Sequence, residues 1–146
     1  RFNLPHAPMV LYIEQPGEGR PAGRVKELIA HRHVQLGRYE EALQCFRECV
    51  ELHSGKSPGV IIARAKARLG CCAMLSKLER HEQALEEARE AVALLATTGS
   101  WFASRGPGNM SPRALAAWRE AGAEAAAAAH HALAVELEYC GADLGL

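Results

Sequence analysis

Three small residues constrain this chain more than anything else in it. Ala30, Ala42 and Cys49 recur as Cys72, Ala84 and Ala91, each 42 residues later. In the first copy Ala42, Leu43, Phe46, Cys49 and Val50 fall at helical spacing, while Glu40, Glu41, Gln44, Arg47, Glu48 and Glu51 take the other faces. Upstream, Ile29, Ala30, His33 and Leu36 repeat the spacing, which predicts two antiparallel helices joined at Gly37-Arg38. Small residues at Ala30 and Ala42 let the two backbones approach closely. A helix pair that recurs at a fixed period cannot bury its apolar stripe alone and stacks on its next copy.

The series Ile29-Ala30, Leu36-Gly37, Tyr39, Ala42, Phe46, Cys49 resembles a tetratricopeptide repeat, which has a small residue in its first helix, then Leu-Gly, an aromatic, Ala, an aromatic and Ala. Cys49 stands in for the last Ala and keeps the site small. In the second copy Cys72, Leu78, Ala84, Ala88 and Ala91 occupy the corresponding places, with Glu79 for the turn glycine, His81 for the first aromatic and Ala88 for the second. The step exceeds the usual period of about 34 residues. In this it is similar to the longer helix pairs of kinesin light chains and spindle-orientation adaptors. The resemblance covers residues 23 to 95.

What the resemblance implies is an all-α fold of antiparallel helix pairs stacked as a short α-solenoid, with first helices lining a concave surface. Such a surface holds a peptide or helix of a partner protein, the work of a scaffold or adaptor. Carried over residue by residue, the groove-facing pattern falls on Arg24, Glu27, His31 and Gln35 in the first helix. It continues with Lys66, Leu69, Ala73 and Lys77 in the third, and with His131, Val135 and Glu138 in the last. The branch of the family that clamps a terminal carboxylate needs Lys and Asn there. Glu27, His31, Leu69 and Ala73 disfavour it.

Composition narrows the function classes. A 146-residue chain suits one domain, and 49% hydrophobic with only 5% aromatic residues means a core of Ala, Leu and Val, suited to close-packed helices. Lys+Arg and Asp+Glu both number 17, so no net field attracts nucleic acid or an anionic membrane. Five cysteines, two of them adjacent at Cys71-Cys72, do not form a disulfide framework and point to a reducing, cytoplasmic location. Adjacent helical residues diverge, so one of Cys71 and Cys72 is expected to face out. No apolar run reaches membrane-spanning length, and an opening on Arg1 is expected of an excerpt from a longer protein.

Along the chain, residues 1 to 22 differ from the rest: prolines at 5, 8, 16 and 21 exclude a long helix, and Met9 to Ile13 form a short apolar run. The segment reads as an extended arm, its apolar run either covering the first helix pair or lying in the domain's own groove. Residues 23 to 146 form the helical-repeat domain. Helices are expected at Arg24 to Leu36, Tyr39 to His53, Pro58 to Leu78 and Arg80 to Leu95. Thr97-Thr98-Gly99-Ser100 is expected to stop the fourth and open a loop to Asn109, with Trp101 and Phe102 in it as a possible hook for a partner. Ser111-Pro112 then starts a fifth helix running to Gly141. Leu133-Ala134 and Cys140-Gly141 repeat the spacing of Ile29-Ala30 and Leu36-Gly37, so this helix reads as the first half of an incomplete third repeat.

Chemistry is sparse. Cys45, Cys49 and His53 share a helix face and offer three ligand types, but the two cysteines sit at packing positions, where a free thiol behaves as a small hydrophobe. His31 with His33 and His130 with His131 are not metal pairs by spacing. Glu79, Glu82, Glu86, Glu87 and Glu90 form a solvated face. Without a phosphate loop, a Ser-His-Asp pattern or a His-Glu-x-x-His, no enzyme activity, cofactor or metal is expected. The expected partner is a protein or peptide, with no nucleic acid and no membrane insertion. The alternative is a regulatory or oligomerisation domain of a larger polypeptide that pairs through its last helix with another copy or another domain.

Overall fold

The structure is a computed structural model that describes residues 20–104 and 111–141, residues 101–104 by backbone alone. Five helices follow in order: α1 Pro21–Gln35, α2 Tyr39–Leu52, α3 Pro58–Lys77, α4 His81–Ser104 and α5 Pro112–Gly141. The described residues contain no strand. Each helix packs on the next along the chain wherever both are described, and α5 also lies against α3. The architecture is all-α, a short stack of helix pairs, as the spacing of small residues requires.

The two helix-pair turns are built alike. After α1, the amide of Arg38 bonds back to the carbonyl of His33 (2.9 Å), and Gly37 has φ 74°. After α3, the amide of Arg80 bonds to the carbonyl of Leu75 (2.8 Å), and Glu79 has φ 59°. Both are six-to-one closures around a left-handed residue, the way a helix satisfies its last carbonyls before reversing. Glu79 therefore holds a backbone conformation that glycine adopts freely, at a cost of about 1–2 kcal/mol. The next helix starts identically as well, with Ala42 and Ala84 donating to the carbonyls of Arg38 and Arg80.

Packing obeys the same period. Ala30, Ala42 and Cys49, and likewise Cys72, Ala84 and Ala91, are all buried. One core cluster joins Ala42, Leu43 and Phe46 of α2 to Cys71 and Leu75 of α3 and Ala84 of α4. A second joins Ile62 and Ala65 of α3 to Ala91 and Leu95 of α4 and Trp118, Ala125 and Ala129 of α5. Phe46 reaches α3 at Gly70, where an added Cβ would stand 2.5 Å from the ring. A glycine in mid-helix thus lets one large ring fill the crossing, and in the second repeat Ala88 does the same job with less volume.

Several expectations need correction. Helix α1 starts at Pro21, three residues before the expected Arg24. Its inward face is Gly23, Ala30 and Val34; Ile29 and Leu36, expected in the buried stripe, are exposed, because α1 is flanked chiefly by α2. Helix α4 does not stop at Leu95 but runs to Ser104. Thr97 and Thr98 donate their hydroxyls to the carbonyls of Leu94 (2.6 Å) and Leu95 (2.8 Å), and Thr98 is buried, so tertiary packing carries the helix through a sequence of weak formers. Trp101 and Phe102 accordingly belong to the end of a helix rather than to a loop; their side chains lie outside the described residues. The small residues α5 buries are Ala125 and Ala129, whereas Ala134 is exposed, so Leu133-Ala134 does not mark a repeat register. Cys71 and Cys72 are both buried, since α3 is central and has α2 and α4 on one side and α5 on the other. The arm at residues 1–19 lies outside the described residues.

Candidate functional site

Helices α3 and α5 run side by side on one face of the stack and leave a hollow of about 430 Å³ between them. From α3 its wall takes Leu69, Ala73 and Lys77; from α5 it takes His131 and Val135. These are five of the residues that the repeat pattern places on the concave surface, brought together from positions up to 66 residues apart, Leu69 to Val135. The helical reason is simple. Leu69, Ala73 and Lys77 follow one another by four on α3, and His131 and Val135 by four on α5, so each set forms a stripe. Lys66 continues the α3 stripe outward, exposed but not in the wall; Glu138 is exposed on α5 and also outside the wall.

The remaining expected residues stand on α1, away from this hollow. Glu27 pairs with His31 at 3.6 Å along the same helix, and the His31 ring sits edge-on to Phe46 with centroids 5.5 Å apart. Gln35 accepts from the Arg32 guanidinium at 3.4 Å, and Arg24 is partly buried.

The floor of the hollow contains groups that sequence reasoning missed. Glu136 is buried, and the His81 Nδ1 donates to its carboxylate at 2.9 Å across the α4–α5 contact. Ser76 Oγ lies 3.5 Å from the same nitrogen. Tyr139, 62% exposed, stacks on the His81 ring at 3.9 Å and 8°. His81 had been read as a departure from an aromatic position, yet it makes an aromatic contact there. The signal that pointed to the floor was the helical spacing of Ala132, Val135, Glu136 and Tyr139, masked by the Ala-rich run before it.

At the rim, the Lys77 ammonium sits 5.9 Å from the Tyr39 ring, inside cation–π range, and His131 is exposed. Cys72 lines the floor, but burial, with Glu136 and Glu87 adding to it, pushes its thiol up to about 12. A thiol in that state is a packing group and not a nucleophile. The hollow therefore offers an apolar wall, one paired buried carboxylate and a cationic rim. A hollow of similar volume between α4 and α5, walled by Leu95, Thr98, Gly122 and Arg119, has no comparable stripe of repeat positions.

Cys45, Cys49 and His53 do not converge. The Cys49 thiol donates to the carbonyl of Gly23 at 3.5 Å, and His53 Nδ1 accepts from the backbone amide of Arg20 at 3.1 Å. Among the described residues no three His, Cys, Asp or Glu side chains are grouped to hold a metal ion.

A family model for the tetratricopeptide repeat matches residues 24–54, which span most of α1 and all of α2. That match supports a relationship to the tetratricopeptide-repeat family. No curated protein and no solved structure matches the chain. The matched pair is the one with Leu36-Gly37, Tyr39 and Phe46, and α3–α4 joins it through the identical turn geometry rather than through a match of its own. Tetratricopeptide repeats are interaction modules and typically not catalytic, so the relationship indicates a role in protein–protein contact. No described helix is long and apolar enough to cross a membrane.

Proposed function

We propose that the chain is a scaffold or adaptor module that holds a peptide or helix of a partner protein in the hollow between α3 and α5. The observation that carries this is the alignment of the Leu69–Ala73–Lys77 stripe with the His131–Val135 stripe around one open hollow. Leu69, Ala73 and Val135 supply an apolar floor, while Lys66, Lys77 and His131 supply cations beside it. A segment with apolar anchors and flanking acidic residues fits this chemistry. Rim charges set association rate and discrimination, and the apolar floor sets residence time. All five cysteines are unbridged, which suits the reducing cytoplasm in which we place the protein. The 42-residue step groups it with the long-period repeats.

The test is a display library of acidic-flanked amphipathic segments, with selected peptides measured on three proteins. Lys66→Glu should slow association and flatten its salt dependence, whereas Ala73→Arg, filling the floor, should remove binding. Ala73 is exposed, so neither change should move the melting temperature by more than a degree or two. Peptides that bind Ala73→Arg as tightly as the parent would refute the groove. Self-pairing through α5 has one observation in its favour, the exposed Tyr139, and a concentration-dependent mass in light scattering would favour it.

A further inference from the structure

Helix α1 carries an apolar stripe that none of the described helices covers. Val25, Leu28, Ile29 and Leu36 are 59%, 71%, 42% and 50% exposed. They occupy one side of the helix, at spacings of three, one and seven, with Arg32 among them. In a stack of helix pairs each interior helix is flanked on both sides, and the first helix needs a cap with its own chemistry. We propose that residues Met9–Ile13 of this chain dock along that stripe and cap the first helix pair.

Reach, turn chemistry and charge all select this occupant. The described chain begins at Arg20, immediately before α1, so the arm is tethered at one end of the stripe. Seven residues separate Ile13 from Arg20, enough for about 23 Å of extended chain. The stripe from Val25 to Leu36 is about 16 Å long at helical rise. Met9–Ile13, Met-Val-Leu-Tyr-Ile, spans about 13 Å extended. Pro16-Gly17 and Gly19 lie between run and helix, a sequence suited to a reversal that would lay the run antiparallel to α1. That arrangement sets Leu11 opposite Leu28.

The charges agree. The first turn of α1 has no acidic residue and Arg20 provides no side-chain cap, so its positive end lacks a carboxylate. Glu14 and Glu18 arrive beside it on the arm. A second copy of the chain is a poorer occupant, because two α1 helices face to face would bring Arg32 and Arg24 toward their duplicates against the single acid Glu27.

Disulfide trapping in the full chain decides it. Cys140 is changed to Ser to remove the one partly exposed thiol, the other four native cysteines being buried. Leu11→Cys is then combined with Leu28→Cys, or in a second protein with Ala73→Cys in the hollow between α3 and α5. The expected result is rapid oxidation of the first pair to a disulfide-bonded monomer and none of the second. A disulfide-bonded dimer, trapping at position 73, or no trapping would each overturn the proposal. Hydrogen exchange gives an independent reading: Leu11→Asp should speed exchange across residues 21–36 about ten-fold. Unchanged exchange there would also contradict it.

Discussion

The same substitution, glycine to alanine, should have opposite effects in the two longest described stretches of helix packing. Gly122 sits in mid-α5, and a Cβ there would meet Ile62 at 3.8 Å and the Thr98 hydroxyl at 3.9 Å, ordinary contacts. Gly122→Ala should therefore deliver the helix-propensity gain of about 0.8–1.0 kcal/mol. Gly70 sits in mid-α3, and a Cβ there would stand 2.5, 2.6 and 2.7 Å from three atoms of the Phe46 ring. That ring is buried, with His31 edge-on to it, so its retreat is obstructed. Overpacking of this kind costs about 1–3 kcal/mol, which cancels or outweighs the same propensity gain. Relative to the parent, Gly122→Ala should raise the melting temperature by about 2–4 °C and Gly70→Ala should lower it by a similar amount. The assay is thermal unfolding of the purified variants by circular dichroism. A double-mutant cycle adds the mechanism: in a Phe46→Leu background the penalty of Gly70→Ala should shrink, giving a coupling of about 1 kcal/mol. If Gly70→Ala stabilises as much as Gly122→Ala, the ring does not pack on α3 and the crossing of α2 with α3 is wrong.

Other consequences are cheaper to check. Glu79→Gly relieves a left-handed residue at the α3–α4 turn, and after subtracting the greater freedom of glycine in the unfolded chain it should stabilise by about 0.5 kcal/mol in a urea melt; a loss would mean the turn is not of the α1–α2 kind. Burial holds the thiols of Cys49, Cys71 and Cys72 up at about 12 and raises that of Cys45, so native alkylation counted by mass spectrometry should stop near one adduct, on Cys140. Fast labelling of Cys71 or Cys72 would contradict the central position of α3. His53 is buried with its Nδ1 accepting the Arg20 amide, and burial lowers its pKa below the usual 6.5, with Arg64 and Arg20 opposing its charge and Glu27 favouring it. The unfolded chain then takes up a proton first, so this contribution is full above about 6.5 and is lost as pH falls through 6.5 toward the folded value. Melting temperature should drop between about pH 7.5 and about pH 5.5, and His53→Gln should reduce the drop.

The helix pairs were legible because their cause is local. A small residue is needed wherever two helices cross closely, and Ala30, Ala42 and Cys49 with their partners 42 residues on announce those crossings. The Leu75–Arg80 turn was legible by register alone, since Glu79 pays conformational strain instead of displaying the glycine that marks its counterpart. What sequence could not reveal depends on neighbours. Thr97-Thr98 reads as a stop until α5 lies against it and the hydroxyls turn back onto their own helix. Ile29 and Leu36 read as core until α1 is seen to stand at the end of the stack. The Leu69–Ala73–Lys77 half of the hollow followed from the repeat pattern, but the floor of Glu136, His81 and Tyr139 joins α4 to α5 over 55 residues between Glu136 and His81, a pairing no spacing rule supplies.

The most direct measurement is an amide chemical-shift map of the full chain titrated with a selected acidic-flanked peptide. A partner segment seated between α3 and α5 should move the resonances of Leu69, Ala73, Lys77, His131 and Val135 together with one binding curve, and should leave those of α2 in place. Saturable shifts confined to α1 and α2, with Ala73 and Val135 unmoved, would contradict the account.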